Sequence, residues 1–173
     1  MAKIGFTKLG LKKNTKVNTI TWNEQIIEVK EYLPIEDKSK VIENIVAYSI
    51  DENNFANPMR VKINLVLECI FAYTNINFTE KQKEDRSALY DLLYSSGLWA
   101  AIADMLEDEI KMIEKTTREI IDEFYKYKNS AMGILDTISQ DYSNLDLDAE
   151  KIREKIGNKE GVEFLSEVME KMG

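Results

Sequence analysis

The stretch ADMLEDEIKMIEKTTREIIDEFYKYKNSAMGILDTI, residues 103–138, decides the fold class. Within it Ala103, Leu106, Ile110, Ile113, Thr117, Ile120, Phe124, Tyr127, Ala131, Ile134 and Ile138 follow one another at spacings that alternate strictly between 3 and 4. A 3.5-residue period is the mark of a helix laid along another helix, within one molecule or between copies. The spacing predicts a helix over about 98–138, interrupted at most near Asn129-Ser130. At 1.5 Å per residue the seam is about 54 Å long, more than a compact domain of this size needs. Thr117, Tyr127 and Ala131 are poor knobs, so a free-standing zipper is not expected. The same packing governs ordinary bundles, which makes the chain's own shorter helices the first partner. The expectation is a long helix that covers its own bundle and leaves part of its length for another molecule. Leu106, Ile110, Ile113, Ile120, Phe124 and Tyr127 are the candidate contact residues, with Trp99 as an anchor beside them.

Upstream of the seam the start signals are clear. Val17–Trp22 and Gln25–Lys30 flank Asn23-Glu24 and predict a hairpin; pairing Trp22 with Gln25 sets Ile20 against Ile27. Asn-Glu is a weaker turn than Asn-Gly. A lone hairpin is marginal in water, so Ile20, Trp22, Ile27 and Val29 must lie on helices or pair with another chain. Pro34 opens a helix to about Ile50, with Ile35, Val41, Ile42, Ile45 and Val46 as its apolar face. Asn57-Pro58 starts a second, apolar almost all round to Tyr73 and hence central. Thr79 to Gln82 is a capping box for a helix carrying Leu89, Tyr90, Leu92 and Leu93, which Gly97 closes. The fold class expected is mainly α: a helical bundle with one long helix and a small N-terminal β-hairpin. Its parts are a basic arm, 1–16, a hairpin plus helical domain, 17–140, and a C-terminal helical extension, 141–173.

The chain has 173 residues and a net charge of −8, unevenly spread. Lys3, Lys8, Lys12, Lys13 and Lys16 precede Glu24 without an acid among them, and the rest of the chain stands at −13. So acidic a body repels phosphates, which argues against nucleic acid as a partner. The lysine arm can touch phosphate or an acidic protein surface, although a solvated, mobile terminus is the preferred account of it. One cysteine, Cys69 among apolar neighbours, excludes an internal disulfide and fits a reducing cytoplasm. No signal-peptide core and no membrane-length apolar run is present.

Chemistry is scarce. The chain has no histidine, and with one cysteine this rules out a structural zinc site and the usual general base. Phosphate loops and nucleophile elbows are missing. Asp104, Glu107, Asp108 and Glu109 form an acidic cluster that suits a divalent cation. Their alternation with the seam points them instead to solvent, with Lys111 and Lys115 as helix partners. Asp141 to Asp148 lacks the glycine of a calcium loop. No cofactor is expected, and an enzyme is the least favoured class.

Four segments carry a family resemblance: residues 1–9 (MAKIGFTKL), 26–34 (IIEVKEYLP), 78–85 (FTEKQKED) and 89–93 (LYDLL). Over roughly residues 1–138 the chain resembles small morphogenesis proteins of tailed bacteriophages of Gram-positive hosts, and in layout is most similar to tail assembly chaperones. The resemblance implies non-enzymatic binding of long amphipathic helices of a phage structural protein, a tape measure or tail subunit. It implies a place in the host cytoplasm during assembly. A virion component of the head–tail connector or tail that oligomerises into a ring has the same outline. A third possibility is an inhibitor of a host defence protein that uses the acidic helical face as a nucleic-acid mimic.

Overall fold

The computed structural model describes residues 3–130 together with Gly133 and Ile134. After a single 3-10 turn at Phe6–Leu9 come β1 (Val17–Trp22), β2 (Gln25–Lys30), α1 (Ile35–Ser49), α2 (Pro58–Tyr73), α3 (Glu80–Glu84), α4 (Arg86–Ser95), α5 (Leu98–Ala103) and α6 (Glu107–Lys128). The fold is mainly α with a small N-terminal hairpin. Seam positions Ala131 and Ile138 and the whole 141–173 extension lie outside the described residues.

The hairpin has the expected register, Ile20 against Ile27 and Trp22 against Gln25. Its turn places both Asn23 and Glu24 at positive φ, 45° and 65°, the geometry of a two-residue hairpin loop. Ile27 and Val29 are buried, and Ile20 and Trp22 pack half-buried against the core. The hairpin is also not alone. Just past α2, Thr74 bridges to Val29, the Asn75 backbone N–H donates to the Glu28 carbonyl, and Glu28 N–H donates to Asn75 Oδ1.

Helix α2 is the centre. The Asn57 side chain accepts from the Met59 and Arg60 N–H groups, and Pro58 occupies the first turn, where its missing donor costs nothing. Leu67, Cys69, Ile70 and Tyr73 have no exposed surface. Helix α1 packs along α2 on the expected face, with Val41, Ile42 and Ile45 buried and Val46 packed against the core; its first turn departs from that face. Ile35 is 68% exposed, while Lys38 is buried. The helix expected after the Thr79 capping box is two helices, since Asp85 leaves helical geometry and its carboxylate recaps α4 at Ala88 N–H.

The long helix is also shorter than the period suggests. Asp104–Leu106 interrupts it, with Met105 N–H and Leu106 N–H turning to the Ile102 and Ala103 carbonyls. No proline or glycine marks this break. Acidic Glu107, Asp108 and Glu109 then open α6 at its positive dipole end. The chain divides into two compact units, Met1–Phe124 and Tyr125–Gly173. In the second, Ser130 ends α6 and caps the next turn: its N–H donates to the Tyr127 carbonyl and its Oγ accepts from Gly133 N–H. A Cβ on Gly133 would stand 2.1 Å from the Tyr127 carbonyl oxygen, so only glycine fits there.

Candidate functional site

The seam residues separate into two groups. Leu106 and Ile113 are in the hydrophobic core, at 1% and 0% exposure, and Ile110 and Trp99 pack half-buried against it. Ile120 is 42% exposed, Phe124 half-buried and Tyr127 49% exposed. From Ile113 the buried positions advance in steps of four, through Thr117 to Ile121 at 9% exposure, whereas the heptad seam steps three from Thr117 to Ile120 and leaves that residue outside. Thr117 Oγ1 is buried with no hydrogen-bond partner among the described residues.

The acidic cluster at the head of α6 is not wholly solvent-facing. Glu107 does pair with Lys111, but Glu109 turns inward. Its Oε1 accepts from Lys38 Nζ at 2.8 Å and its Oε2 from the Tyr73 hydroxyl at 2.6 Å. Lys38 also lies over the Tyr32 ring, 4.0 Å from its centroid. These contacts fasten α6 to α1, α2 and the β2–α1 loop. Burial first, and then the Glu109 carboxylate, holds the Tyr73 phenol above its ordinary range. Burial likewise pushes the Cys69 thiol up to about 12, with Glu68 and Glu109 adding to the effect, so it is no nucleophile.

A second polar cluster joins α1, α2 and α4. Arg86 donates from Nη2 to Glu68 at 2.5 Å and from Nε to Asn64 at 2.6 Å. Asn44 donates to the other Glu68 oxygen, and Asn64 donates to Ser49 Oγ. The Arg86 guanidinium lies 4.2 Å from the centre of the Tyr48 ring. Each group in this network has a partner, and partner removal is what makes buried ions costly. It is a structural clamp. Its members are far apart in sequence, and nothing in local spacing announces it.

The lysine arm is the surprise. Lys3, Lys8, Lys12 and Lys13 are exposed as expected, but so are Ile4, Phe6, Leu9 and Leu11, at 51–75%. In the 3-10 turn Phe6 and Leu9 are three apart and so share one edge; Gly10 ends the turn at φ 60°. The arm is tied to the body at its root. Lys16 Nζ donates to Glu31 at 2.6 Å and Asn14 Nδ2 to its other oxygen, which holds the Glu31 carboxyl below the usual range. Beside that root, residues 13–17 and the β2–α1 loop enclose a groove of about 600 Å³. Its apolar side chains include Val17, Tyr32 and Ile35, themselves 42–68% exposed.

No family model matches this chain, and no curated protein or solved structure matches it either. Among the described residues no group of histidine, cysteine, aspartate and glutamate side chains could hold a metal ion, and no helix is long and apolar enough to cross a membrane. What the surface does offer is large apolar side chains in contact with solvent, on the arm, along the groove and on the outer half of α6. Sequence periodicity pointed to the last of these. The arm's signal was present too, in four large apolar residues set among its lysines, but without periodicity it has no predictive pattern.

Proposed function

We propose that this is a non-enzymatic morphogenesis protein of a tailed bacteriophage, of the tail assembly chaperone type. It binds amphipathic helices of a tape-measure or tail subunit while the tail is built. The observation that carries the reading is Ile120. It is 42% exposed on a helix face that it shares with Thr116, exposed Glu123 and, one turn on, half-buried Phe124. An exposed apolar residue edged by a charge suits the rim-and-centre anatomy of a transient interface. The inner half of α6 meanwhile gives that face a rigid base.

The test is a pull-down from infected cells set beside mass spectrometry of purified particles. A chaperone is recovered with the tape-measure or tail subunit and is missing from particles. Ile120→Glu lowers that recovery at least fivefold and leaves the unfolding midpoint unchanged. Recovery undiminished by Ile120→Glu removes the α6 face from the mechanism, and presence in particles at stoichiometric amounts removes the chaperone reading. The bare arm favours a second reading, a structural component of the connector or tail that assembles into a ring, and presence in particles is its signature.

A further inference from the structure

We infer that the N-terminal arm of one copy docks, through Phe6 and Leu9, into the groove beside Tyr32 and Ile35 of a second copy. The inference rests on neither functional reading above, because it concerns contact between copies whether or not they remain in a particle.

Three observations lead to it. The arm is apolar but bare: Phe6 is 75% and Leu9 51% exposed, on one edge of a 3-10 turn, and nothing in the described body covers them. A segment with so many large apolar groups in water is suited to burial against another surface. The groove has a matching character. Val17, Tyr32, Pro34 and Ile35 line it, it measures about 600 Å³, and that falls within the range that holds compact ligand groups. Ile35 is 68% exposed there, at the first position of a helix whose apolar face points elsewhere.

Charge supplies the third. The arm carries lysines and no acid, and the remainder of the chain stands at −13. At the groove Glu36 and Asp37, in the first turn of α1, stand beside Lys13, Lys16 and Lys30, so the groove's own charge is near balance and the pull comes from the acidic body as a whole. A cationic arm is thus drawn toward another copy's body, and the apolar pair gives the contact its position. The chain's own arm is turned away. Its root, residues 13–16, forms one wall of the groove, and from there residues 3–12 run out exposed. An arm-to-groove contact is heterologous: repeated, it closes a ring or extends a filament, and exchanged between two copies it makes a swapped dimer.

The experiment uses two full-length variants of different tag size, one Phe6→Cys and one Ile35→Cys, mixed under mild oxidation. The buried native Cys69 stays silent. The expected product is a mixed disulfide between the two sizes, formed at least tenfold faster than with a control Tyr48→Cys partner, whose side chain is exposed elsewhere on α1. Adding Leu9→Glu to the arm variant, or raising the salt, slows it at least fivefold. Both sites lie on the surface, so unchanged unfolding midpoints establish that each variant is folded. A rate equal to the Tyr48→Cys control overturns the proposal. So does a double variant that closes its disulfide within one chain, at a rate independent of dilution, because the arm then occupies its own groove.

Discussion

Two apolar segments of this chain, Leu106–Ile113 and Ile4–Leu11, have opposite fates. The first carries a regular period, and it is in the core, with Leu106 and Ile113 essentially without exposed surface. The second has no period, with Gly5, Lys8 and Gly10 set among its apolar residues, and its large side chains stand in water. The difference teaches that periodicity reports a commitment to contact and says little about whose surface supplies it. A regular stripe on a short domain finds its partner within the molecule, because neighbouring helices of the same chain are always at hand. An apolar segment that no local element can cover is the better sign of a partner outside.

That contrast can be broken by substitution. Ile113→Ala removes a side chain with no exposed surface and is expected to cost about 2–5 kcal/mol, read as a lower urea midpoint. Next comes Glu109→Ala, which strands Lys38 and the Tyr73 hydroxyl on the inner side of α6. Its expected cost is about 3 kcal/mol, and an unchanged midpoint would mean that the inward turn of Glu109 contributes nothing. Alkaline pH acts on the same core. Cys69 and Tyr73 are both held protonated by the fold, so the unfolded chain releases their protons first as pH rises. Stability is complete below the ordinary thiol value of 9.0 and falls above it, as Cys69 titrates toward about 12 and Tyr73 joins from 10.0 upward. Each group adds a slope of up to about 1.4 kcal/mol per pH unit; urea midpoints at pH 8, 10 and 11 trace it, and Cys69→Ala flattens its first part.

Smaller effects sharpen the other side. Glu24→Gly relieves a glutamate held at φ 65° and should stabilise the hairpin by about 1 kcal/mol, seen as a raised thermal midpoint. Phe6→Ala should leave the midpoint of the dilute protein within about 0.5 kcal/mol of the parent. A large loss there would place the arm in the core after all and dissolve the contrast with Ile113.

Much of the scaffold is legible in local chemistry. The Trp22–Gln25 register, the Asn57-Pro58 start and the Thr79–Gln82 capping box each involve residues a few positions apart, and each stands where its chemistry puts it. Gly97 also takes its left-handed conformation, at φ 82°, between α4 and α5. The breaks at Asp85 and at Asp104–Leu106 escape such reasoning because helix-compatible residues occupy them and tertiary packing decides. The burial of Lys38 on α1 is matched by Glu109, 71 positions away, which no local spacing reveals. The arm's apolar character is hidden for a different reason: Ile4, Phe6, Leu9 and Leu11 stand among its lysines with neither a helix nor a strand period to mark a buried face.

Cys69 has a further consequence. It is the chain's one thiol and has no exposed surface in the middle of α2. A thiol reagent therefore meets it only in molecules whose central helix has opened, and the rate of modification at saturating reagent measures how often that happens. The protein carries a built-in clock for its own opening. With that clock, tightening of the whole fold by a bound partner could be timed without attaching any probe to the surfaces where the partner sits.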